Sequence, residues 1–181
     1  MPDTITPDLL PAQRSAPASR PVTVQPAPAT TRLSLRGDPA ALGAAFGLAL
    51  PVQPCRAATA GGRAALWLGP DEWLLLAPPG LLEAGVMVEG GAVVDVSHRQ
   101  VGLRLHGPAA ADVLAVGCPL DLHPKSFPPG MCTRTVFGKA EIVLWRVGAD
   151  EFHLEVWRSF RGYVAALLDQ AVQDAGQGAG A

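Results

Sequence analysis

The chain has 181 residues, 49% of them hydrophobic and 17% charged, with a formal net charge of −2. That length fits one medium domain or two small halves sharing a core, and the apolar content excludes disorder over most of the chain. The 14 Lys and Arg residues are scattered, which excludes the basic stripe that nucleic-acid binding needs and the polybasic run that marks a membrane surface.

Residues 1–30 carry Pro2, Pro7, Pro11, Pro17, Pro21, Pro26 and Pro28 among Ala, Ser, Thr and Gln. Such a segment buries too little apolar surface to offset its ordering entropy, so a Pro-rich flexible N-terminal arm is predicted. Asp3 and Asp8 fall where a secretory leader would be apolar. The longest uncharged run, residues 39–55, is too short to span a bilayer and is broken by Pro51 and Pro54. Cys55, Cys118 and Cys132 are odd in number and form no C-x-x-C pair, which suits a reducing compartment and buried thiols. A cytoplasmic location is expected.

The first module is predicted over residues 31–90. A strand at 32–36 leads into a helix with Asp38 as cap and Pro39 at its first position, where the missing N–H costs nothing. Leu42 and Phe46 share a helical face, and Gly47 ends the helix. Strands follow at 55–60, 64–68 and 73–77, separated by Gly61-Gly62 and by Gly69-Pro70-Asp71. A short helix is predicted over 81–86.

The second module is predicted over residues 91–173. Strands at 92–96 and 101–105 precede a helix that begins at Gly107-Pro108 and stops at Gly117. A proline-rich loop over 118–130 leads to strands at 133–137, 140–146 and 151–157. In the last of these Phe152, Leu154 and Val156 alternate with Glu151, His153 and Glu155. Phe160, Tyr163, Val164, Leu167, Leu168 and Ala171 then form the stripe of a helix packed on a sheet, and residues 174–181 make a flexible Gly- and Ala-rich tail.

The two modules echo each other. Leu33-Ser34-Leu35-Arg36-Gly37 matches Leu103-Arg104-Leu105-His106-Gly107, Cys55-Arg56-Ala57 matches Cys132-Thr133-Arg134, and Asp71-Glu72-Trp73 matches Asp150-Glu151-Phe152. The pattern predicts an α+β fold built from a duplicated β-α-β-β-β-α module.

Chemistry is hard to place in this chain. It has no G-x-S-x-G elbow, no H-E-x-x-H and no phosphate-binding glycine loop, and Gly176-Gln177-Gly178-Ala179-Gly180 follows no strand. Asp95, Ser97 and His98 lie close together beside Arg99, but strand alternation points Asp95 and Ser97 away from His98, so a strand end is the expected reading. His98, His106, His123 and His153 show no metal-ligand spacing. Asp71, Glu72, Asp150 and Glu151 read as turn residues, and Trp67, Trp73, Trp145 and Trp157 as core or interface. No catalytic, cofactor-binding or metal residue is assigned.

One stretch does point to a family. Asp95-Val96-Ser97-His98 with Gly107-Pro108 resembles the opening signature of the glycine-cleavage T-protein and aminomethyltransferase superfamily. Gly117-Cys118-Pro119-Leu120-Asp121-Leu122-His123-Pro124, with Phe127 and Gly130 after it, resembles the gamma subunit of heterotetrameric sarcosine oxidase. Thr133-Arg134-Thr135, Trp145, Arg158-Ser159-Phe160 and the run Trp67 to Leu75 agree, so the resemblance spans residues 31–168. It departs at the long Pro-rich N-terminus.

The resemblance implies a fold similar to the folate-binding domain of the superfamily. It also implies membership of a complex that demethylates sarcosine oxidatively to glycine, with hydrogen peroxide and formaldehyde or 5,10-methylenetetrahydrofolate as products. The family places NAD and tetrahydrofolate in the alpha subunit, FAD in beta, covalent FMN between them and zinc in delta. The gamma subunit carries no cofactor and packs directly on alpha. The superfamily's folate-contacting acid maps onto no residue here. The alternative is a free-standing folate-binding or aminomethyltransferase-like protein.

Overall fold

Alternating apolar residues build ten strands, and the computed structural model describes residues 22–81 and 86–178. The strands are β1 (Thr23–Pro26), β2 (Thr31–Gly37), β3 (Ala57–Ala60), β4 (Arg63–Gly69), β5 (Glu72–Ala77), β6 (Gly91–Asp95), β7 (Gln100–His106), β8 (Cys132–Phe137), β9 (Ala140–Arg146) and β10 (Glu151–Trp157). The helices are α1 (Pro39–Phe46), α2 (Ala110–Ala115) and α3 (Arg161–Gly178), the last preceded by a 3-10 turn over Arg158–Phe160.

Two antiparallel sheets of five strands result. One runs β3-β4-β5-β2-β6 and the other β8-β9-β10-β7-β1, so the two orders correspond element for element. The echoed residues make equivalent contacts. Leu35 faces Trp73 across β2 and β5, and Leu105 faces Phe152 across β7 and β10. The Gly37 N–H donates to the Asp71 carbonyl at 3.1 Å, and the Gly107 N–H to the Asp150 carbonyl at 3.0 Å. Both glycines have positive φ, 124° and 138°, a conformation that other residues rarely adopt.

Each sheet is buried on both faces. Leu33, Leu35, Trp73 and Leu75 pack with Leu42 and Phe46 of α1. Leu103, Leu105, Ile142, Leu144, Phe152, Leu154 and Val156 pack under α2 and α3. The remaining faces meet at Ala64, Leu66, Leu74, Leu76, Val96, Cys132 and Val143. The layers are therefore helix, sheet, sheet, helix, and the seam between the sheets is a core of its own.

Several elements differ from the sequence expectation. The segment expected to be an arm over residues 1–30 holds β1, which pairs with β7 while Val22 is buried and Val24 packs on the core. Proline-rich composition hides this strand, and an edge position is where a strand tolerates Pro26. Residues 1–21 lie outside the described residues.

Strand β6, expected to open the second module, pairs with β2 of the first sheet. The leading strand of each half thus joins the other half's sheet: β1 precedes β2 but pairs with β7, and β6 precedes β7 but pairs with β2. The helix expected over 81–86 falls mostly on residues 82–85, outside the described residues.

The tail expected from residue 174 is still helix up to Gly178, because Ala171, Val172 and Ala175 extend the stripe that packs on the core. Phe160 and Tyr163, placed on that stripe from their spacing, are instead 40% and 43% exposed. Phe160 lies in the 3-10 turn before α3, and Val164, Leu168 and Ala171 of the same stripe face the core as expected.

Candidate functional site: the seam between the sheets

The alternation in β10 predicts a polar face, and that face is buried. His153 and Glu155 point into the seam with 6% and 1% exposure. Arg32, from β2 of the opposite sheet, reaches them across the seam. Its Nε–H donates to Glu155 Oε2 at 2.6 Å, and Glu155 Oε1 lies 2.7 Å from His153 Nε2. A further guanidinium N–H of Arg32 donates to the Thr30 carbonyl at 2.9 Å.

Burial pushes the Glu155 carboxyl up, but the His153 hydrogen bond and charge, with Arg32 behind them, outweigh it and hold the group below the usual carboxylate range. Gly102 makes room for this cluster, since a Cβ there would stand 2.9 Å from Glu155 Oε1 and 2.7 Å from the Ala27 methyl. A buried charge network of this kind fixes how two surfaces meet more than it adds stability.

A groove of about 460 Å³ opens along the seam beside this cluster. Pro28, Thr30, Arg63, Arg104, Trp145 and His153 contribute to its walls. Two of its polar side chains already have carboxylate partners: His153 has Glu155, and Arg104 has Glu151 at 3.6 Å.

The Asp95-Ser97-His98 group is a strand-end tie. The Ser97 backbone N–H donates to Asp95 Oδ1 at 2.8 Å, and the Ser97 hydroxyl oxygen accepts the Arg32 backbone N–H at 2.9 Å. Hydrogen bonds from Ser97 lower the Asp95 carboxyl. His98 is exposed, and its carbonyl accepts from Arg158 Nε–H at 2.8 Å. Among the described residues no hydrogen bond joins the imidazole of His98 to Ser97 or Asp95.

The remaining candidates are also accounted for structurally. His106 and His123 are exposed, and among the described residues no three His, Cys, Asp or Glu side chains gather as a metal site. Burial pushes the Cys132 thiol up to about 12, far from the thiolate that reactivity requires. Trp73 is buried and donates to the Pro51 carbonyl at 2.7 Å. Trp67 and Trp145 pack on the seam, and Trp157 lies 43% exposed at the end of β10.

The Gly117 to Pro124 motif has a structural cause. Arg146, 3% exposed, donates through Nη1 to the Leu122 and Phe127 carbonyls, each at 3.0 Å, and lies 5.0 Å over the Phe152 ring. Asp121 accepts from the His123 N–H at 2.9 Å and the Ser126 hydroxyl at 2.6 Å. The loop is thus wound around a buried guanidinium satisfied by carbonyls. Sequence reasoning missed both this arginine and the Arg32–Glu155–His153 cluster. The available signal was a charged residue in a strand whose apolar neighbours on both sides belong to the core.

Comparison with known proteins places these features. The model of the sarcosine oxidase, gamma subunit family matches residues 36–175. Sarcosine oxidase subunit gamma from Corynebacterium sp. (strain U-96) is 38% identical over 166 residues, covering 86% of this chain and 81% of that one. The subunit of the same name from an Arthrobacter species is 41% identical over 135 residues, covering 68% and 66%.

Among solved structures, a chain of the heterotetrameric sarcosine oxidase from Corynebacterium sp. U-96, in complex with pyrrole 2-carboxylate, matches with a TM-score of 0.79 at 37% identity, covering 87% of both chains. The glycine cleavage system aminomethyltransferase T from Bartonella henselae matches with a TM-score of 0.59 at 17% identity, covering 81% of this chain and 45% of that one. The second likeness is one of fold.

Proposed function

Because this chain belongs to the sarcosine oxidase gamma subunit family, we propose that it is the non-catalytic gamma subunit of a heterotetrameric sarcosine oxidase. The complex would demethylate sarcosine oxidatively to glycine, with hydrogen peroxide and formaldehyde or 5,10-methylenetetrahydrofolate as products. FAD, FMN, NAD, tetrahydrofolate and zinc belong to the other subunits in this reading. The chain packs directly on the alpha subunit, and beta and delta complete the complex. A cytoplasmic location goes with it, and among the described residues no helix is long and apolar enough to cross a membrane. We read residues 31–90 and 91–173 as two related modules, with β1 ahead of the first pairing with β7 of the second, and β6 at the start of the second pairing with β2 of the first.

The observation that carries this reading is the engagement of the seam's carboxylate, hydroxyl and thiol groups. Glu155 is engaged on both oxygens, by Arg32 and His153. Ser97 and Asp95 hold a strand end, and Cys132 is held as a thiol. Among the described residues of the seam, none of these groups is left as a nucleophile beside a free base for acyl or group transfer. Among the described residues no three His, Cys, Asp or Glu side chains gather as ligands, and this reading assigns the zinc of the complex to a companion chain.

The test is sarcosine-dependent peroxide formation by the purified chain and by the complex purified with it. The complex turns over and the isolated chain does not. The seam groove favours the folate-binding alternative, and tetrahydrofolate titration of the isolated chain checks it through tryptophan fluorescence, since Trp145 lines the groove. Saturable quenching would support that alternative, and an unchanged signal supports the subunit reading.

A further inference from the structure

The open end of the seam is walled by a row of side chains across the second sheet. In register, Arg104 of β7 lies opposite His153 of β10, and His153 lies opposite Trp145 of β9. All three line the groove of about 460 Å³, and the Trp145 and His153 rings stand 6.0 Å apart. The first sheet contributes Leu76, Ala64 and Thr59, a row in its own register. Arg63, at the start of β4, adds a second guanidinium.

The duplication supplies an internal reference for this row. Leu35 opposite Trp73 corresponds to Leu105 opposite Phe152, so the neighbouring pair Ser34–Leu74 corresponds to Arg104–His153. By the same register Leu66, opposite Leu74, corresponds to Trp145, opposite His153. Leu66 and Leu74 close into the apolar seam core. The equivalent positions of the second half hold polar groups, which an apolar seam does not need.

These groups are short of acceptors. Arg63 Nε and Trp145 Nε1 are buried donors without a partner among the described residues, and a buried donor left unpaired costs stability. Arg63 Nη1 lies 3.5 Å from the Gly61 carbonyl, and Arg104 lies 3.6 Å from Glu151. Both distances exceed those of a full hydrogen bond. None of the residues lining the groove is Asp or Glu.

Two guanidiniums and an indole N–H, set in walls of Pro, Ala and Leu, match a ligand with an anionic acceptor on an apolar body. A carboxylate is acceptor-only and has the planar fork that a guanidinium pairs with. A pterin would instead bring ring donors to walls that offer no carboxylate to receive them. We propose that the open end of the seam binds a small organic carboxylate, held by Arg63, Arg104 and the indole N–H of Trp145. This site goes beyond the gamma-subunit reading and does not depend on it.

The test titrates the full chain with phenylacetate and with its neutral isostere phenylacetamide, by calorimetry and tryptophan fluorescence. Phenylacetate is expected to bind saturably and change the fluorescence, and phenylacetamide to bind about tenfold more weakly or worse. R63Q and R104Q are each expected to weaken phenylacetate about tenfold and to leave phenylacetamide unaffected. W145F removes the N–H and keeps a ring, and is expected to lose the fluorescence response and weaken the acid. If W145F melts early, the two arginine variants carry the comparison, since the Arg104 side chain is 47% exposed.

Equal affinity for acid and amide overturns the site, as does wild-type affinity for phenylacetate in R63Q/R104Q. Phenylacetate bound by the free chain but excluded once the companion oxidase subunits are added also overturns it, because the natural occupant is then an acidic group of a companion. Absence of any binding removes the site and leaves the subunit reading standing, because peroxide formation by the complex tests that reading separately.

Discussion

Strands β5 and β10 hold the same place in their two sheets and pair in the same register with β2 and β7. Their core faces are alike, with Trp73 and Leu75 on one and Phe152 and Leu154 on the other. Their seam faces differ: β5 presents Leu74 and Leu76, whereas β10 presents His153 and Glu155. One sheet brings hydrocarbon to the shared surface, and the other brings charge that needs Arg32 from across it. Apolar contact supplies the attraction between the halves without direction, whereas the charge network permits few relative placements of the two sheets.

The sharpest way to break this comparison is Glu155→Ala. It leaves Arg32 buried beside His153 without an anion, and the expected cost is about 3–5 kcal/mol, read from urea unfolding. Replacing the cluster together, with Arg32→Met, His153→Leu and Glu155→Leu, is expected to recover most of that loss, because the network orients more than it stabilises. The apolar side has its own test. Leu74→Ala, in a residue 2% exposed, is expected to cost about 3 kcal/mol through lost transfer energy and a residual cavity.

Acid separates the two faces next. The Glu155 carboxyl is lowered from its ordinary 4.5, so its contribution is complete above that value and is lost as pH falls through the folded-state pKa. The wild type is expected to lose stability below pH 4.5 more steeply than the triple variant, measured by thermal melts across that range. The smallest effect lies in the helices. Asp38 accepts the Ala41 N–H at 2.8 Å and caps α1, whereas α2 has no side-chain cap. Asp38→Ala is expected to cost about 1 kcal/mol.

Much of the fold was legible because local rules sufficed. The bounds expected for β9 and β10 match those observed, and Asp38, Pro39 and Gly47 delimit α1 as their chemistry dictates. Three features were not legible. Strand β1 lies in a segment whose proline content outweighs the alternation of Val22 and Val24, and only the distant edge of β7 gives it a partner. Alternation in β10 separates two faces but cannot say that a second sheet covers the polar one. Likewise the buried stripe of α3 is narrower than its spacing suggests, with Val164, Leu168, Ala171 and Val172 inside while Phe160, in the 3-10 turn, and Tyr163, at the stripe's edge, are exposed. At the site, sequence reasoning found the polar residues of the strand end, but missed Arg32 and Glu155, which lie 123 positions apart.

The central claim is that this chain is a subunit of an oxidase and does not perform its chemistry. Native mass spectrometry of the tagged chain purified from its own cells, with the visible spectrum of the same fractions, tests it most directly. The account predicts a yellow four-subunit assembly containing one copy of this chain, which becomes colourless when dissociated and separated from its companions. A colourless, monomeric chain that oxidises sarcosine by itself would contradict it.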